Sequence, residues 1–222
     1  DSVRRLIGTL EQHAELVAKL EQAALRGDIE RYDALSARSM RLLSSILEAE
    51  NALISLHLAT IDGTSPQRGL MRSMRALNRA MIEMSDTSAR MYAGTGTQES
   101  YIRSVRNMRP HIDDAREAIR SGRDDIAMLH ELAERLTGKK ARAARQIAET
   151  FRSSFRVETQ LVRLVEDYAT VLSDLGRNPD AVSQSRVDRA VEIFTSELPS
   201  LSERRMSIQE KRRRLIVRAF QQ

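Results

Sequence analysis

Apolar residues along this chain recur at alternating spacings of three and four positions, in long stretches separated by short polar turns. Such spacing is close to a repeat of 3.5 residues, which keeps one apolar stripe of a helix facing its neighbour. The most regular stripe consists of Tyr101, Val105, Met108, Ile112, Ala115, Ile119, Gly122, Ile126, Leu129, Ala133 and Leu136. The pattern therefore predicts long amphipathic helices.

The same spacing predicts helices over about 2–26, 28–61, 67–92, 101–136 and 141–175, and two more after residue 180. Pro110 is expected to kink the fourth helix or to mark a restart, because proline lacks the N–H that a helix interior uses. Pro199 is expected to interrupt the sixth helix. Ser200 and Glu203 form the capping-box pattern that opens a final helix.

Glycine and polar residues mark the turns between these stretches. Gly27 suits the left-handed conformation that ends a helix, and Asp28 suits the N-cap of the next one. Gly138 is expected at a hairpin tip and Gly176 at the end of the fifth helix. Because short turns imply antiparallel neighbours, we predict an all-α, elongated antiparallel bundle of six or seven coiled-coil-like helices. It spans 1–222 as one domain, or as two stacked sub-bundles with a joint near 93–97.

Polar residues interrupt the apolar stripe of the fifth predicted helix. Ser154 and Glu158 occupy positions where the spacing calls for apolar side chains. Two explanations are open: a shift of the stripe through Phe155 and Val162, or a polar layer inside the bundle.

Composition and charge narrow the picture. Aromatic residues make up only 4% of the chain, which suits helix-on-helix packing, and there is no Cys. The lack of Cys excludes disulfides, thiolate metal sites and cysteine nucleophiles. It leaves the compartment open, with cytoplasm favoured over periplasm. The net charge of +5 lies entirely in residues 199–222, which hold seven basic and two acidic residues, whereas residues 1–198 hold 29 of each.

The third predicted helix carries a first candidate contact face. Its arginines recur at spacings of four, three and four beside a methionine-rich stripe, and the candidate residues are Arg68, Arg72, Arg75, Arg79 and Met71. Flexible methionines beside arginines suit an acidic amphipathic helix or an anionic lipid surface. The alternative is that the methionines belong to the core and the arginines face solvent.

The basic last helix is a second candidate face. Its candidate residues are Arg204, Arg205, Lys211, Arg212, Arg213, Arg214 and Arg218. Such a cluster suits nucleic-acid phosphates, an anionic membrane surface or an acidic protein. Cations near a helix C-terminus also stabilise the helix through its dipole, which is the simpler explanation.

Gly122 is a third candidate, because a glycine inside a helix costs about 1 kcal/mol relative to alanine. It permits close backbone approach, or room for a small ligand between helices. Arg116, Arg120 and Arg123 lie nearby and would neutralise a carboxylate there.

No catalytic, cofactor-binding or metal-binding motif is found. No Glu precedes any of the four His residues by three positions, which a di-iron bundle requires, and the His-Glu-x-x-His motif of zinc proteases is absent. His111 with Asp114, and His130 with Glu134, lie close on helix surfaces but need further ligands from other helices. We therefore expect a protein that is not an enzyme and has no cofactor.

The chain from Leu6 to Glu50 resembles the first helical hairpin of FlgN-type flagellar export chaperones. The likeness lies in its Leu-Glu-Gln pattern and in the break Leu25-Arg26-Gly27-Asp28, and it covers under a quarter of the chain. No functional residue is carried over from it.

The first functional hypothesis is an adaptor, scaffold or chaperone-like signalling bundle that binds a protein partner, with a homodimer plausible. Two alternatives remain open. One is an extracytoplasmic ligand-sensing domain of a bacterial chemoreceptor or sensor kinase, with spanning segments beyond both ends. The other is a bundle that binds a membrane surface or a polyanion through basic faces, with binding that weakens as salt rises.

Overall fold

A computed structural model describes residues 2–60, 63, 65–94 and 98–220, although some side chains within these ranges are not described. Six α-helices and one short 3-10 turn account for nearly all of them: α1 (Ser2–Leu25), α2 (Ile29–Thr60), α3 (Pro66–Ala93), α4 (Gln98–Arg135), α5 (Gly138–Arg177), the turn Pro179–Ala181, and α6 (Gln184–Phe220). The chain is an all-α helical bundle, as the apolar spacing predicts.

Each helix packs against its neighbours in sequence, α1 on α2, α2 on α3, and so on to α5 on α6. Contacts between side chains fix the antiparallel register. Ser73 of α3 meets Ser121 of α4, and Arg123 of α4 meets Thr159 of α5. The turns after α2 and α4 therefore lie at one end of the bundle, and those after α1, α3 and α5 lie at the other.

The main apolar core is formed by α2, α3, α4 and α5. The stripe predicted on α4 is confirmed, because these of its members are buried: Val105, Met108, Ile112, Ala115, Ile119, Gly122, Ile126, Leu129 and Ala133. Leu136, at the end of that stripe, is exposed, and the side chain of Tyr101 is not described. A smaller cluster joins α5 to α6 through Val157, Leu161, Leu164 and Leu201.

The methionines of α3 belong to this core. Met81, Met84 and Met91 are buried, and Met71 and Met74 pack against the core while remaining half-buried. Their stripe therefore holds α3 to its neighbours.

The ends of the helices follow the predicted turn chemistry at two points. Gly27 has a φ of 65°, the left-handed conformation expected after α1. The Asp28 carboxylate accepts a hydrogen bond from the backbone N–H of Arg31 at 3.1 Å, which caps α2. Gly138 also has a positive φ, of 62°, where α5 begins.

Gly176 does not end α5, contrary to the prediction. The helix continues through it to Arg177, and Pro179 follows in the 3-10 turn. Gly176 instead leaves space for Ile102 of α4, whose side chain occupies the position that a Cβ would take. The glycine serves a close helix contact.

The two prolines that were expected to kink or interrupt helices, Pro110 and Pro199, both lie within continuous ones. Pro110 lies inside α4, and α6 runs unbroken from Gln184 to Phe220 through Pro199. The predicted interruption at Pro199, with a new helix from Ser200, is wrong. A proline removes one hydrogen bond from the helix ladder, and the remaining bonds on either side keep the helix continuous.

Both explanations of the interrupted α5 stripe hold. Phe155 and Val162 are buried, so the apolar surface shifts around the helix, and Ser154 and Glu158 are buried as well. Because α5 packs on α4 along one side and on α6 along another, it has no single core face.

Among the residues described, no helix combines the length and apolar character needed to cross a bilayer.

Candidate functional site

An open groove of about 750 Å³ runs between α3 and α4 on the surface of the bundle. Its lining is dominated by small side chains: Gly69, Ser73, Ala76 and Ala80 of α3, with Ala118 and Ser121 of α4. Gly69 is half-buried and Ala76 and Ser121 are exposed, whereas Ser73, Ala80 and Ala118 are buried at the bottom of the groove. Because no large side chain fills the space above them, a partner has room to approach this pair of helices.

The floor of the groove arises from a second stripe on each helix. On α3, Gly69, Ser73, Ala76 and Ala80 recur at spacings of four, three and four, one position before the core stripe that begins at Leu70. The same spacing that buries the core stripe therefore aligns the small residues beside it.

Hydrogen bonds tie the two helices together across this floor. The Ser73 hydroxyl contacts Ser121 Oγ at 3.1 Å and Asp125 Oδ2 at 3.0 Å. Gly69 makes room for the Asp125 carboxyl, which lies where a Cβ would stand. Burial of this carboxyl raises the pKa of Asp125, the Ser73 hydrogen bond lowers it, and nearby Asp124 raises it further.

The walls of the groove carry opposite charges. Arg72, Arg79 and Glu83 rise from α3, so that wall is basic on balance, and Asp114 and Glu117 rise from α4, all with exposed side chains. Within the described part of the chain, neither Arg72 nor Arg79 forms an ion pair, although each faces acidic residues across the groove. The charges are thus available to a partner.

An exposed apolar strip continues the groove along α4, toward the turn that precedes α5. Met128 is 53% exposed and Leu132 is 38% exposed. They follow Ser121 and Asp125 on the same side of α4 at helical spacing. The groove therefore ends in a patch of large apolar side chains.

The predicted arginine row of α3 divides between two sides of the helix. Arg68 donates a hydrogen bond to the backbone carbonyl of Leu58 at 3.1 Å, and Arg75 donates to Ser55 Oγ at 3.4 Å, so both face α2. Arg72 and Arg79 line the groove. Met71, the fifth candidate, packs partly against the core.

The predicted basic face of α6 is also divided. Arg204 and Lys211 are exposed, whereas Arg205 is buried. Burial of Arg205 departs from the expectation that the whole cluster faces solvent. The side chains of Arg212, Arg213, Arg214 and Arg218 lie outside the described residues.

Arg205 lies at the centre of a buried polar cluster that joins four helices. Its Nε donates to Glu158 Oε1 of α5 at 2.5 Å, and its Nη2 lies 3.6 Å from Glu50 Oε2 of α2. Asn78 of α3 accepts from Arg205 Nη2 at 3.5 Å and donates to Glu50 Oε2 at 3.2 Å. The cluster therefore attaches α6 to α2, α3 and α5 at one level of the bundle.

Neighbouring carboxylates stabilise the positive charge of Arg205. Burial alone lowers the pKa of this guanidinium, but the carboxylates of Glu158 and Glu50 raise it well above its ordinary value. Glu158 Oε2 is buried without a hydrogen-bond partner, beside a small cavity of about 10 Å³ that Ser154 and Phe155 also line. The space is that of about one water molecule.

Gly122 accommodates an aromatic ring. The ring of Phe155 occupies the position of a Cβ on Gly122, so the space expected for a small ligand is filled by α5. The nearby arginines point elsewhere: Arg116 pairs with Asp113 and Glu166, and Arg123 donates to Thr159. Arg120 is exposed.

The histidines are dispersed. His111 Nδ1 lies 3.9 Å from Asp114 Oδ2 at the groove, and His130 Nε2 is buried without a hydrogen-bond partner. No group of three or more His, Asp or Glu side chains converges as a metal site among the described residues.

No protein family, curated protein or solved structure matches this chain. The function of the groove, the exposed apolar strip and the Arg205 cluster is therefore inferred from their geometry alone.

The sequence analysis named Arg72 and Arg79 as candidates for a contact face, but it did not predict the small-residue floor between them and α4. The signal was present, because Gly69, Ser73, Ala76 and Ala80 already form a stripe at heptad spacing. The pairing of Arg205 with Glu158 could not be predicted from local spacing, because the two residues are 47 positions apart in the sequence.

Proposed function

We propose that this protein is a non-enzymatic helical-bundle interaction protein that binds a protein partner through the groove between α3 and α4. The observation that carries the proposal is a groove with a small-residue floor and two walls of opposite charge. Packing between helices is closest where side chains are small, so this floor fits a helix better than a flat or globular surface.

The charges of the groove support recognition of a helical surface with one acidic and one basic side. Arg72 and Arg79 suit acidic side chains on one side of the partner surface, and Asp114 and Glu117 suit basic side chains on the other. Such opposed pairs set the orientation of a partner and disfavour helices of uniform charge.

The exposed apolar strip supports a protein partner further. Met128 and Leu132 present apolar surface beside the charged walls. Apolar side chains surrounded by a polar rim are the usual arrangement of a protein-binding patch. The groove floor, its walls and the apolar strip together form one continuous surface on α3 and α4.

Site-specific crosslinking tests the proposal. A photoreactive amino acid replaces Ala76 on the groove floor, and in a matched variant it replaces the exposed Arg120, which lies outside the groove. Illumination in a lysate of the source organism is expected to give a discrete protein adduct, identified by mass spectrometry, from position 76 and not from position 120.

Charge reversal supplies the control for specificity. Arg72→Glu with Arg79→Glu should reduce the adduct at least tenfold, whereas Arg109→Glu with Arg120→Glu makes the same change of charge on exposed residues elsewhere and should leave it unchanged. Equal adducts from positions 76 and 120, or none from position 76, would overturn the proposal.

A further inference from the structure

We infer that the occupant of this groove is a second copy of the same chain, related by a two-fold axis parallel to the helices. The inference rests on the proposed function and names its partner. An axis in this direction places α3 of one copy opposite α4 of the other. Rotation about this axis does not move any residue along the bundle. Residues of α3 and α4 that lie at the same level, meaning the same height along the bundle, in one chain therefore face each other in the dimer.

The register of α3 and α4 defines those levels. Since Ser73 and Ser121 are in contact, each step forward along α3 is matched by one step back along α4. Arg79 is therefore level with residue 115, next to Asp114, and Arg72 is level with residue 122, near Asp125. In a dimer with this axis each arginine faces a carboxylate of the second copy.

A further pair of polar wall residues follows the same rule. Glu83 on α3 is level with His111 on α4, so a carboxylate again faces an imidazole, which can donate a hydrogen bond to it. Each charged side chain on the α3 wall thus has a complementary group on the facing wall, at its own level or within about three residues of it. A two-fold axis perpendicular to the helices would instead place α3 against α3 and bring arginines together.

The small floor and the size of the face also fit a dimer. Ala76 on one copy is level with Ala118 on the other, so the four helices can pack at close range. From His111 to Leu132 the face is about 32 Å long and two helices wide, which corresponds to about 1,300 Å² buried in total. That area lies at the lower end of the range for specific dimers.

The apolar strip gains a partner in the same arrangement. Met128 is level with Pro66, where α3 begins, so beyond this level α3 is no longer part of the face that the second copy presents. The Met128 and Leu132 side chains of the two copies then approach one another across the axis. The dimer covers the exposed apolar surface that the single chain leaves in water.

Charge exchange between two variants tests the inference. Arg72→Glu with Arg79→Glu makes both walls acidic, and Asp114→Arg with Glu117→Arg makes both walls basic. Each variant alone should self-associate at least about 100-fold more weakly than the wild type in sedimentation experiments, because like charges then face each other at both contacts. Mixed in equal amounts, the two variants should form a heterodimer, since opposite charges again meet at both contacts.

Cysteine crosslinking tests the direction of the axis. The chain contains no Cys, so Ala76→Cys in one copy and Glu117→Cys in another, both exposed groove positions one residue apart in level, give a disulfide without background. An equimolar mixture of the two single variants should form the 76–117 crosslink under mild oxidation. The control Arg120→Cys, exposed and outside the groove, should not crosslink with Ala76→Cys.

Three results would overturn the inference. These are a wild-type chain that remains monomeric up to about 100 µM, a dimer that persists in both charge variants, and a dimer without the 76–117 crosslink. A monomer whose position 76 still captures a different protein would remove the second copy as occupant and leave the proposed function intact. A chain that neither dimerises nor captures a protein at position 76 would remove both.

Discussion

Arg205 of α6 and Glu158 of α5 form a buried ion pair, with Nε donating to Oε1 at 2.5 Å, although the two residues are 47 positions apart. Their side chains are only 10% and 5% exposed, so water contributes little to stabilising either charge. Loss of the guanidinium leaves the Glu158 carboxylate without compensation, whereas loss of that carboxylate still leaves Arg205 beside Glu50. This asymmetry makes the pair a sensitive test of how α6 is attached.

Arg205→Met is expected to lower the free energy of unfolding by about 3–5 kcal/mol, because it leaves Glu158 buried and charged without its cation. Denaturation by urea, followed by circular dichroism, measures the change. The exposed neighbour Arg204→Met is the control and should change stability by no more than about 0.5 kcal/mol. Adding Glu158→Leu to Arg205→Met should restore most of the loss. Equal effects at 204 and 205 would contradict this account of the cluster.

Gly122→Ala is expected to destabilise the protein by about 1 kcal/mol or more, although alanine favours helices over glycine, because the added methyl overlaps the ring of Phe155. Gly8→Ala, which has no neighbour within 4 Å in α1, should stabilise by about 0.5–1 kcal/mol. Thermal unfolding distinguishes the two signs. In a Phe155→Leu background, Gly122→Ala should become neutral or stabilising. A stabilising effect in the wild-type background would show that the ring moves freely aside.

His13 is expected to make stability depend on pH. Burial lowers its pKa below 6.5, and Ser39 Oγ lies 3.1 Å from its Nε2. The folded state therefore binds this proton less readily than the unfolded chain. The stabilising contribution is fully present above the unfolded pKa and is lost as pH falls through the lowered folded value.

Chemical denaturation between about pH 7.5 and pH 5 measures this dependence. His13→Gln keeps a polar group near Ser39 and should flatten the slope. The exposed His57→Gln serves as control, because it leaves His13 in place, and should retain the wild-type slope. An unchanged slope in His13→Gln would assign the dependence to other groups.

Arg68 and Arg72 should differ in stability effects although they lie four positions apart. Arg68→Met removes the hydrogen bond to the Leu58 carbonyl near the end of α2 and should cost about 1 kcal/mol. Arg72→Met removes an exposed side chain from the groove wall and should stay within about 0.5 kcal/mol. Urea denaturation at a concentration where the chain is monomeric gives both values. Similar losses would mean that the arginine row is not divided as the contacts indicate.

The apolar spacing predicted the helices because the members of one buried stripe lie only three or four positions apart in the sequence. The α4 stripe from Val105 to Ala133 is buried as its spacing indicates. On α2 the spacing is a poorer guide: the stripe that runs through Ile46, Leu53 and Leu56 ends in a Leu56 that is 67% exposed, whereas Leu47, outside that stripe, is fully buried. Because α2 packs on α1 and on α3, its buried surface is wider than one stripe.

The candidate site was less predictable, because it depends on which helices meet. Arg72 and Arg79 were expected at a contact face, but the sequence could not indicate that Asp114 and Glu117 would stand opposite them. For the same reason Arg205 appeared to be one cation in an exposed cluster. Only the packing of α6 against α5 brings it to Glu158.

The contact of buried Arg205 with Glu158 and Glu50 also constrains how this sequence can diverge. A lineage that replaces the guanidinium must change at least one carboxylate at nearly the same time, or pass through an unstable intermediate. Related sequences are therefore expected to retain these positions together or to lose them together. Such linked substitution would help to recognise distant homologues even where the apolar stripes have drifted beyond detection.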